Sequence, residues 1–282
     1  MRLVRFGERG QEKPGLIDKD NVLRDLSGEI DDLRGEHLSR AGLARIRALD
    51  PKSLPKADPS HRLGVPVAGI TNFLAIGRNY AEHAAETGSD VPTEPLIFNK
   101  AISSLNGPHD DIGIPKGATA VDWEVELAIV IGERALNVSE GEALDFVAGF
   151  ALCNDVSERE WQKNRGGQWT KGKSAPTFGP LGPWLVTADE IGDVQALDLW
   201  LDHNGERRQT GSTRDMIFGV AKLVSYISDF MALQPGDVIT TGTPPGVGAG
   251  MKPPQYLKGG DRLALGGTRL GEQRARVLGG EG

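Results

Sequence analysis

Apolar positions along the chain follow two periods. Leu38, Leu43, Ile46 and Leu49 recur at helical spacing within 36–50, and Met216, Ile217, Val220, Leu223, Val224, Ile227 and Phe230 share one helical face across 214–232. The first set predicts a short helix and the second a long amphipathic one. Brief alternating or continuous apolar runs predict strands at 71–78, 95–99, 121–131, 148–153, 197–203, 206–211 and 237–241. Asn204-Gly205, between two of these runs, is a type I′ hairpin signal. Shorter helices are expected at 79–87, 141–147 and 157–164, the first closed by Gly88. The first 34 residues read as short strands and turns, and 242–254 as a glycine- and proline-rich loop.

The punctuation between these elements bounds the fold. The 38 glycines and 17 prolines are scattered with no fixed period, which points to many turns between short strands. Pro51, Pro55, Pro59 and Pro66 crowd one stretch, so a boundary is placed there, dividing a small N-terminal domain, 1–67, from a larger one, 68–282.

Charge and cysteine content narrow the functional classes. Thirty-nine acids against 32 bases give a formal charge of −7, which disfavours nucleic acid and anionic membrane surfaces as partners. No run approaches the ~18–20 apolar residues of a membrane span, and the N-terminal MRLVRFGERGQEKPG lacks the apolar core of a signal peptide. With Cys153 as the lone cysteine, no internal disulfide can form. A cytoplasmic protein is expected.

The most informative segment is VDWEVELAIVIG, residues 121–132. On a strand, Asp122, Glu124 and Glu126 share one face, and Trp123, Val125 and Leu127 share the other. The segment runs on into Ala128–Ile131, as a buried strand would. Adjacent buried carboxylates repel, and burying them ionised is costly without a compensating cation. On an exposed edge the same pattern would be only a solvated acidic face. Asp155, just beyond the strand-like GFALCN, offers a third oxygen ligand. An all-oxygen set favours Mg²⁺, Mn²⁺ or Ca²⁺ over zinc.

With these residues in view, the chain resembles the fumarylacetoacetate hydrolase family. The resemblance is carried by Gly77-Arg78-Asn79-Tyr80 with His83 and Glu86, by Glu124-x-Glu126, and by Asn154-Asp155 with Arg159 and Gln162. Gly172-Lys173-Ser174, Thr213-x-x-Met216-Ile217-Phe218 and Gly242-Thr243-Pro244 complete it. Each piece alone is common; six in order are not. The resemblance implies an α+β fold, mainly β with α, built as a mixed β-sandwich roll behind a small N-terminal domain, and a homodimer or an assembly of dimers. It implies Glu124, Glu126 and Asp155 as ligands of Mg²⁺ (or Mn²⁺), and His83, Glu86 and Lys173 as catalytic groups. Arg78, Tyr80, Arg159, Gln162 and Thr243 would face the substrate. On a helix His83 and Glu86 stand at i and i+3, so the carboxylate can orient the imidazole. The chain departs from the family at Pro176, where an aspartate is common.

The function implied is metal-dependent hydrolysis of a carbon–carbon bond in a small 2-oxo acid. The stretch from Lys171 to Trp184 is similar to the subgroup acting on 2,4-diketo-3-deoxy sugar acids such as L-2,4-diketo-3-deoxyrhamnonate, giving pyruvate and a 2-hydroxy acid. Acylpyruvate hydrolysis, oxaloacetate decarboxylation, isomerisation and dehydration are alternatives on one scaffold, as is a non-catalytic binding protein. Gly167–Ser174 also spells the phosphate-loop pattern G-x-x-x-x-G-K-[ST], but a charged stretch precedes it and a proline-rich one follows, where that loop needs a strand and then a helix. No Gly-x-Ser-x-Gly elbow is present, and Gly246-x-Gly248-x-Gly250 lacks dinucleotide-loop spacing.

Overall fold

Seven consecutive buried residues, Val125–Ile131, form the strand on which the molecule is organised. The computed structural model describes residues 1–280. It places this strand inside a ten-stranded sheet in the order Leu23–Asp25, Lys13–Ile17, Arg2–Phe6, Gly179–Thr187, Val147–Asn154, Val125–Ile131, Val238–Thr240, Phe73–Gly77 and Leu96–Lys100, with Leu105–Asn106 paired parallel to Gly179–Thr187. Most neighbours are antiparallel; Val238–Thr240 and Phe73–Gly77 run parallel. A second sheet has the order Glu206–Ser212, Asp198–His203, Arg262–Gly267, Gly271–Leu278 and Ile112–Gly113. With few and short helices beside these sheets, the fold is α+β and mainly β.

Both faces of the large sheet are covered, which is why its central strand is apolar on both sides. On one face Leu127, Ile129 and Ile131 pack in a cluster with Leu199, Leu201, Leu263 and Leu265 of the second sheet and Val220, Leu223, Val224 and Ile227 of a helix. On the other, Ala128, Val130 and Cys153 pack with Leu26, Leu33, Leu38, Leu43, Ile46 and Val67. The residues before 68 therefore do two things. Three of their strands extend the sheet edge, through Arg2–Phe6 on Gly179–Thr187, and the remainder covers the sheet's second face.

Several sequence expectations change in detail. The 214–232 helix is only Val220–Ser228. Asn79 captures the backbone before it, accepting from Ile217 N through its carbonyl and from Phe218 N through its side chain, each at 2.8 Å. Those amides are thus withdrawn from helical bonding, and Phe230 stays 63% exposed beyond the last turn. The 141–147 helix is a single 3₁₀ turn, Ala143–Phe146, because Val147 already belongs to a strand. The 36–50 helix is Arg40–Ala48, capped by the Ser39 hydroxyl accepting from Gly42 N. The hairpin forms as read, with φ of 53° at Asn204 and 81° at Gly205.

The 121–131 strand is interrupted. Val121–Asp122 pairs with Ser157–Glu158, whereas Val125–Ile131 pairs with Val147–Asn154. At the break Glu124 N donates to the Asn154 side chain at 3.0 Å, and Asp155 N donates to Glu124 O at 2.9 Å. These bonds tie Glu124 to the Asn154-Asp155 corner, so the two acidic segments meet at the discontinuity.

Candidate active site

Glu124, Glu126 and Asp155 converge. Each offers an oxygen within 4.8 Å of the others, and all three are buried. Trp123, Val125 and Leu127 point into the opposite core, so the alternation read from the sequence holds across the break. Asp122 leaves the cluster. Its carboxylate accepts from Trp123 N, Gly248 N and Ala249 N and pairs with Arg159 Nε at 2.8 Å, which makes it an anchor for the 246–250 loop.

Three buried cations face this acidic set. Lys173 Nζ lies 2.6 Å from both Glu124 Oε2 and Asp155 Oδ2. Arg159 lies 2.7 Å from Glu124 Oε1 and also donates to Gln162 Oε1 at 3.2 Å. Lys100, which the sequence reading passed over, donates to Asp155 Oδ1 at 2.6 Å and also to the backbone carbonyl of Lys173. Its signal was present: on Leu96–Lys100 the buried positions are Phe98 and Lys100, the two-residue period that puts both side chains inward.

The carboxylates are electrostatically unequal. Burial would raise Glu124, but Arg159 and Lys173 outweigh it and hold its carboxyl well below the usual range. Among the described residues no cation contacts Glu126, and its carboxylate accepts from Gly242 N alone, at 2.8 Å. Burial, then Asp155 and Glu124, push its carboxyl well up. Burial would lower the Lys173 ammonium, yet Asp155 and Glu124 raise it, so it stays charged and serves as a cation, not a base.

The donor set fits a divalent metal. Three buried oxygen ligands face one point, and one of them, Glu126, lacks the positive charge that burial demands. Glu124, Glu126 and Asp155 would hold a hard cation such as Mg²⁺ or Mn²⁺.

A short helix, Ala81–Glu86, brings the remaining groups over the acids. His83 Nδ1 donates to Glu86 Oε1 at 2.8 Å, because an ionised carboxylate can only accept. This tautomer leaves Nε2 as the accepting nitrogen. Glu86 Oε2 accepts in turn from Gly246 N at 2.9 Å, fixing the helix to the loop that Asp122 anchors.

One pocket gathers most of the residues singled out in the sequence. Arg78, His83, Glu124, Glu126, Arg159, Gln162, Lys173 and Thr243 line it. Asp155 and Glu86 sit one contact behind, through Lys173 and His83. Tyr80 is not among the lining residues. The residue is 2% exposed, its hydroxyl has no hydrogen-bond partner among the described residues, and its backbone bridges to Met216. Thr243 is held by a buried side chain absent from the sequence reading: Gln209 Nε2 donates to Thr243 Oγ1 at 2.8 Å, while Thr243 donates to Val125 O. Gly167–Ser174 builds no phosphate loop. Helix Arg159–Asn164 precedes it, and Lys173 turns inward onto the acids. Cys153 is buried in the sheet, and burial pushes its thiol well up, so it is no nucleophile.

A metal-ready acidic cluster facing a His–Glu pair on a mainly β scaffold defines an enzyme of the hydrolase and isomerase kind. The chain belongs to the fumarylacetoacetate hydrolase family, whose C-terminal family model matches residues 72–278. A Burkholderia multivorans protein, provisionally named a hydrolase, is 58% identical over 274 residues covering 97% of each chain. The 5-carboxymethyl-2-hydroxymuconate delta-isomerase of Mycobacterium smegmatis is 31% identical and superposes with a TM-score of 0.80 over 100% of both chains. The maleylpyruvate hydrolase of a Sphingobium species, solved with manganese(II) and pyruvate, is 29% identical with a TM-score of 0.83 over 100% of both chains.

Proposed function

We propose that the protein is a metal-dependent hydrolase that cleaves the C3–C4 bond of a 2,4-diketo acid, releasing pyruvate and a second acid. The observation that carries this reading is that a proton-accepting His83, oriented by Glu86, lines the same pocket as the Glu124–Glu126–Asp155 cluster. The alternatives are acylpyruvate hydrolysis, oxaloacetate decarboxylation and a non-catalytic binding protein on the same fold. The Sphingobium neighbour, solved with manganese(II) and pyruvate, supports a divalent cation and a 2-oxo acid product for this reading.

Mg²⁺ (or Mn²⁺) bound by the three carboxylates supplies Lewis-acid polarisation of the 2-oxo acid end. His83 Nε2 takes a proton from water, and Glu86 stabilises the imidazolium that results. The water oxygen bonds to C4, and the charge developing on the 4-oxo oxygen is offset by Lys173, which burial among acids keeps protonated. The tetrahedral centre reforms a carbonyl as C3–C4 breaks. The electron pair leaves with C3 as the enolate of pyruvate, and His83 returns the proton to it. Arg159 and Gln162, joined by a hydrogen bond on one helical face, hold substrate oxygens in the pocket. Among 2,4-diketo acids, a 3-deoxy sugar acid such as L-2,4-diketo-3-deoxyrhamnonate is the candidate favoured by the sequence resemblance.

The test is pyruvate release from a panel of 2,4-diketo acids with Mg²⁺ or Mn²⁺, before and after chelation. No pyruvate from any of them, or undiminished turnover after chelation, overturns the reading. Oxalate, which mimics the enolate of pyruvate, is expected to raise the Tm only when metal is present.

A further inference from the structure

The strand that carries the acids runs out of backbone partners at Val125. Val238–Thr240 pairs with Val130–Ala128 and goes no further, so among the described residues no strand reaches the Val125 backbone on that side. Backbone groups buried without a partner are costly, and two side chains take the missing strand's place. Gln209 Oε1 accepts from Val125 N at 2.9 Å, and Thr243 Oγ1 donates to Val125 O at 2.9 Å. Gln209 comes from Glu206–Ser212, the edge strand of the second sheet, and is wholly buried.

These contacts fix which atoms donate and which accept. Val125 N can only donate and Pro244 O can only accept, so the Gln209 amide sits with Oε1 on the first and Nε2 on the second, at 2.9 and 2.8 Å. The other Nε2 proton goes to Thr243 Oγ1 at 2.8 Å. The threonine's single hydroxyl proton is committed to Val125 O, which has none to give. One lone pair of the hydroxyl is left, and Thr243 lines the pocket. Toward the pocket, Thr243 is an acceptor.

An acceptor repels a carboxylate or oxo oxygen and calls for a group that brings a proton. Anionic oxygens have donors elsewhere in the pocket: Arg78, stacked 5.4 Å from the centre of the Trp169 ring, Arg159 and Lys173. His83 Nε2, left accepting by the Glu86 contact, is a second acceptor among the lining residues. The space they enclose is ≈ 40 Å³, room for an ordered water. Water has two protons to donate, and His83 and Thr243 offer one acceptor each.

We propose that Thr243 is the second seat of the attacking water and that Gln209 is the positioning residue that holds it so. The water donates one proton to His83 Nε2 and the other to Thr243 Oγ1, which leaves an oxygen lone pair free to bond to C4. The first proton passes to the imidazole as that bond forms. The second stays on the incoming oxygen and keeps its bond to Thr243 while the 4-oxo oxygen takes up charge. The inference rests on the hydrolase reading above and adds a catalytic residue to it.

The kinetic test uses the best substrate of the 2,4-diketo acid panel with Mg²⁺, beside calorimetric binding of oxalate. Thr243→Val is expected to lower kcat about 10-fold, the loss of one hydrogen bond to the water, with KM and oxalate affinity within about threefold of the unmodified protein. Thr243→Ser should restore kcat. Gln209→Met should lower kcat in like measure, and the double variant should lose no more than Thr243→Val alone, because Gln209 acts through the hydroxyl. Additive losses overturn the role of Gln209. A kcat that Thr243→Val leaves intact while KM rises and oxalate weakens makes Thr243 a carboxylate contact and overturns the seat.

Neutron diffraction from crystals of the unmodified protein grown in D₂O with Mg²⁺ decides the polarity without turnover, and does so even where a variant fails to fold. The Thr243 deuteron is expected on the line to Val125 O, with a D₂O molecule donating to both Thr243 Oγ1 and His83 Nε2. A Thr243 deuteron aimed into the pocket, or no water bridging the two residues, overturns the seat and leaves the hydrolase reading standing. If no 2,4-diketo acid releases pyruvate, yet the bridging water is present, the hydrolase reading falls and the water seat stands.

Discussion

Lys100, on a strand 55 residues before Asp155 in sequence, donates to Asp155 Oδ1 at 2.6 Å with its side chain wholly buried. Lys173 takes the other oxygen at the same distance. The aspartate is therefore clamped from both sides, and Lys100 also holds Lys173 through its backbone carbonyl. It positions two members of the site at once.

Lys100→Met should expose this clamp as a charge balance. Breaking a buried ion pair leaves an unpaired carboxylate and typically costs ~3–5 kcal/mol. Without that neighbouring positive charge, Asp155 welcomes another cation more strongly. Added Mg²⁺ or Mn²⁺ is thus expected to raise the Tm of Lys100→Met by more than it raises that of the unmodified protein. A smaller rise in the variant would show that Lys100 supports metal binding directly.

Glu124→Gln and Glu126→Gln should diverge in the metal-free protein although both weaken metal binding. Glu124 neutralises Arg159 and Lys173, so Gln at that position leaves buried cations short of charge, at a cost of about 3–5 kcal/mol. Among the described residues no cation touches Glu126, and burial favours its neutral form, which glutamine imitates. Its substitution should change stability by less than about 1 kcal/mol. Denaturant unfolding in excess chelator compares them, and equal losses would contradict the asymmetry.

Much of this was legible in the sequence because it is local. The period-two spacing of Glu124 and Glu126 placed both carboxylates on one face, and the i and i+3 spacing of His83 and Glu86 allowed their contact. What the sequence hid was tertiary. Asp122 has the same parity as Glu124, yet backbone amides of the 248–249 turn claim its carboxylate. Lys100 falls just past the strand expected at 95–99, and its partner Asp155 arrives from 55 residues away. The apolar face across 214–232 is real, but Asn79 draws residues 217 and 218 out of the helix with hydrogen bonds that no local pattern announces.

The His83–Glu86 pair predicts a separation of binding from turnover. Neither residue belongs to the acidic cluster, so His83→Ala should keep its metal affinity while kcat falls by about 10²–10⁴. Glu86→Gln should lower kcat less, since glutamine can still accept from His83 but cannot stabilise the imidazolium. Loss of metal in His83→Ala, seen by calorimetry, would reassign the histidine to the metal site.

Gly77→Ala tests the wall of the pocket. The new methyl would lie 2.4 Å from Trp169 and 2.8 Å from a Leu96 methyl, so the indole must move. Overpacking of this kind costs about 1–3 kcal/mol, and it removes the surface on which Arg78 rests. A lower Tm together with a raised KM is expected. An unchanged KM would show that Trp169 does not set the position of Arg78.

Asp122→Ala distinguishes an anchor from a ligand. The carboxylate stands two residues before Glu124 but lies outside the cluster, held by Arg159 and by the amides of Gly248 and Ala249. Its removal leaves a buried arginine with one acid fewer and frees the loop that carries Gly246, whose amide fixes Glu86 at 2.9 Å. Stability should fall by ~3–5 kcal/mol. Metal affinity should change little, because all three ligands and Lys173 remain, whereas kcat should drop as the histidine loses the support behind its carboxylate partner. The deciding measurement is metal titration by calorimetry beside steady-state turnover below the variant's Tm. Were the metal lost with the aspartate, Asp122 would count as a fourth ligand, and the break in the strand at Trp123 would have to close on binding.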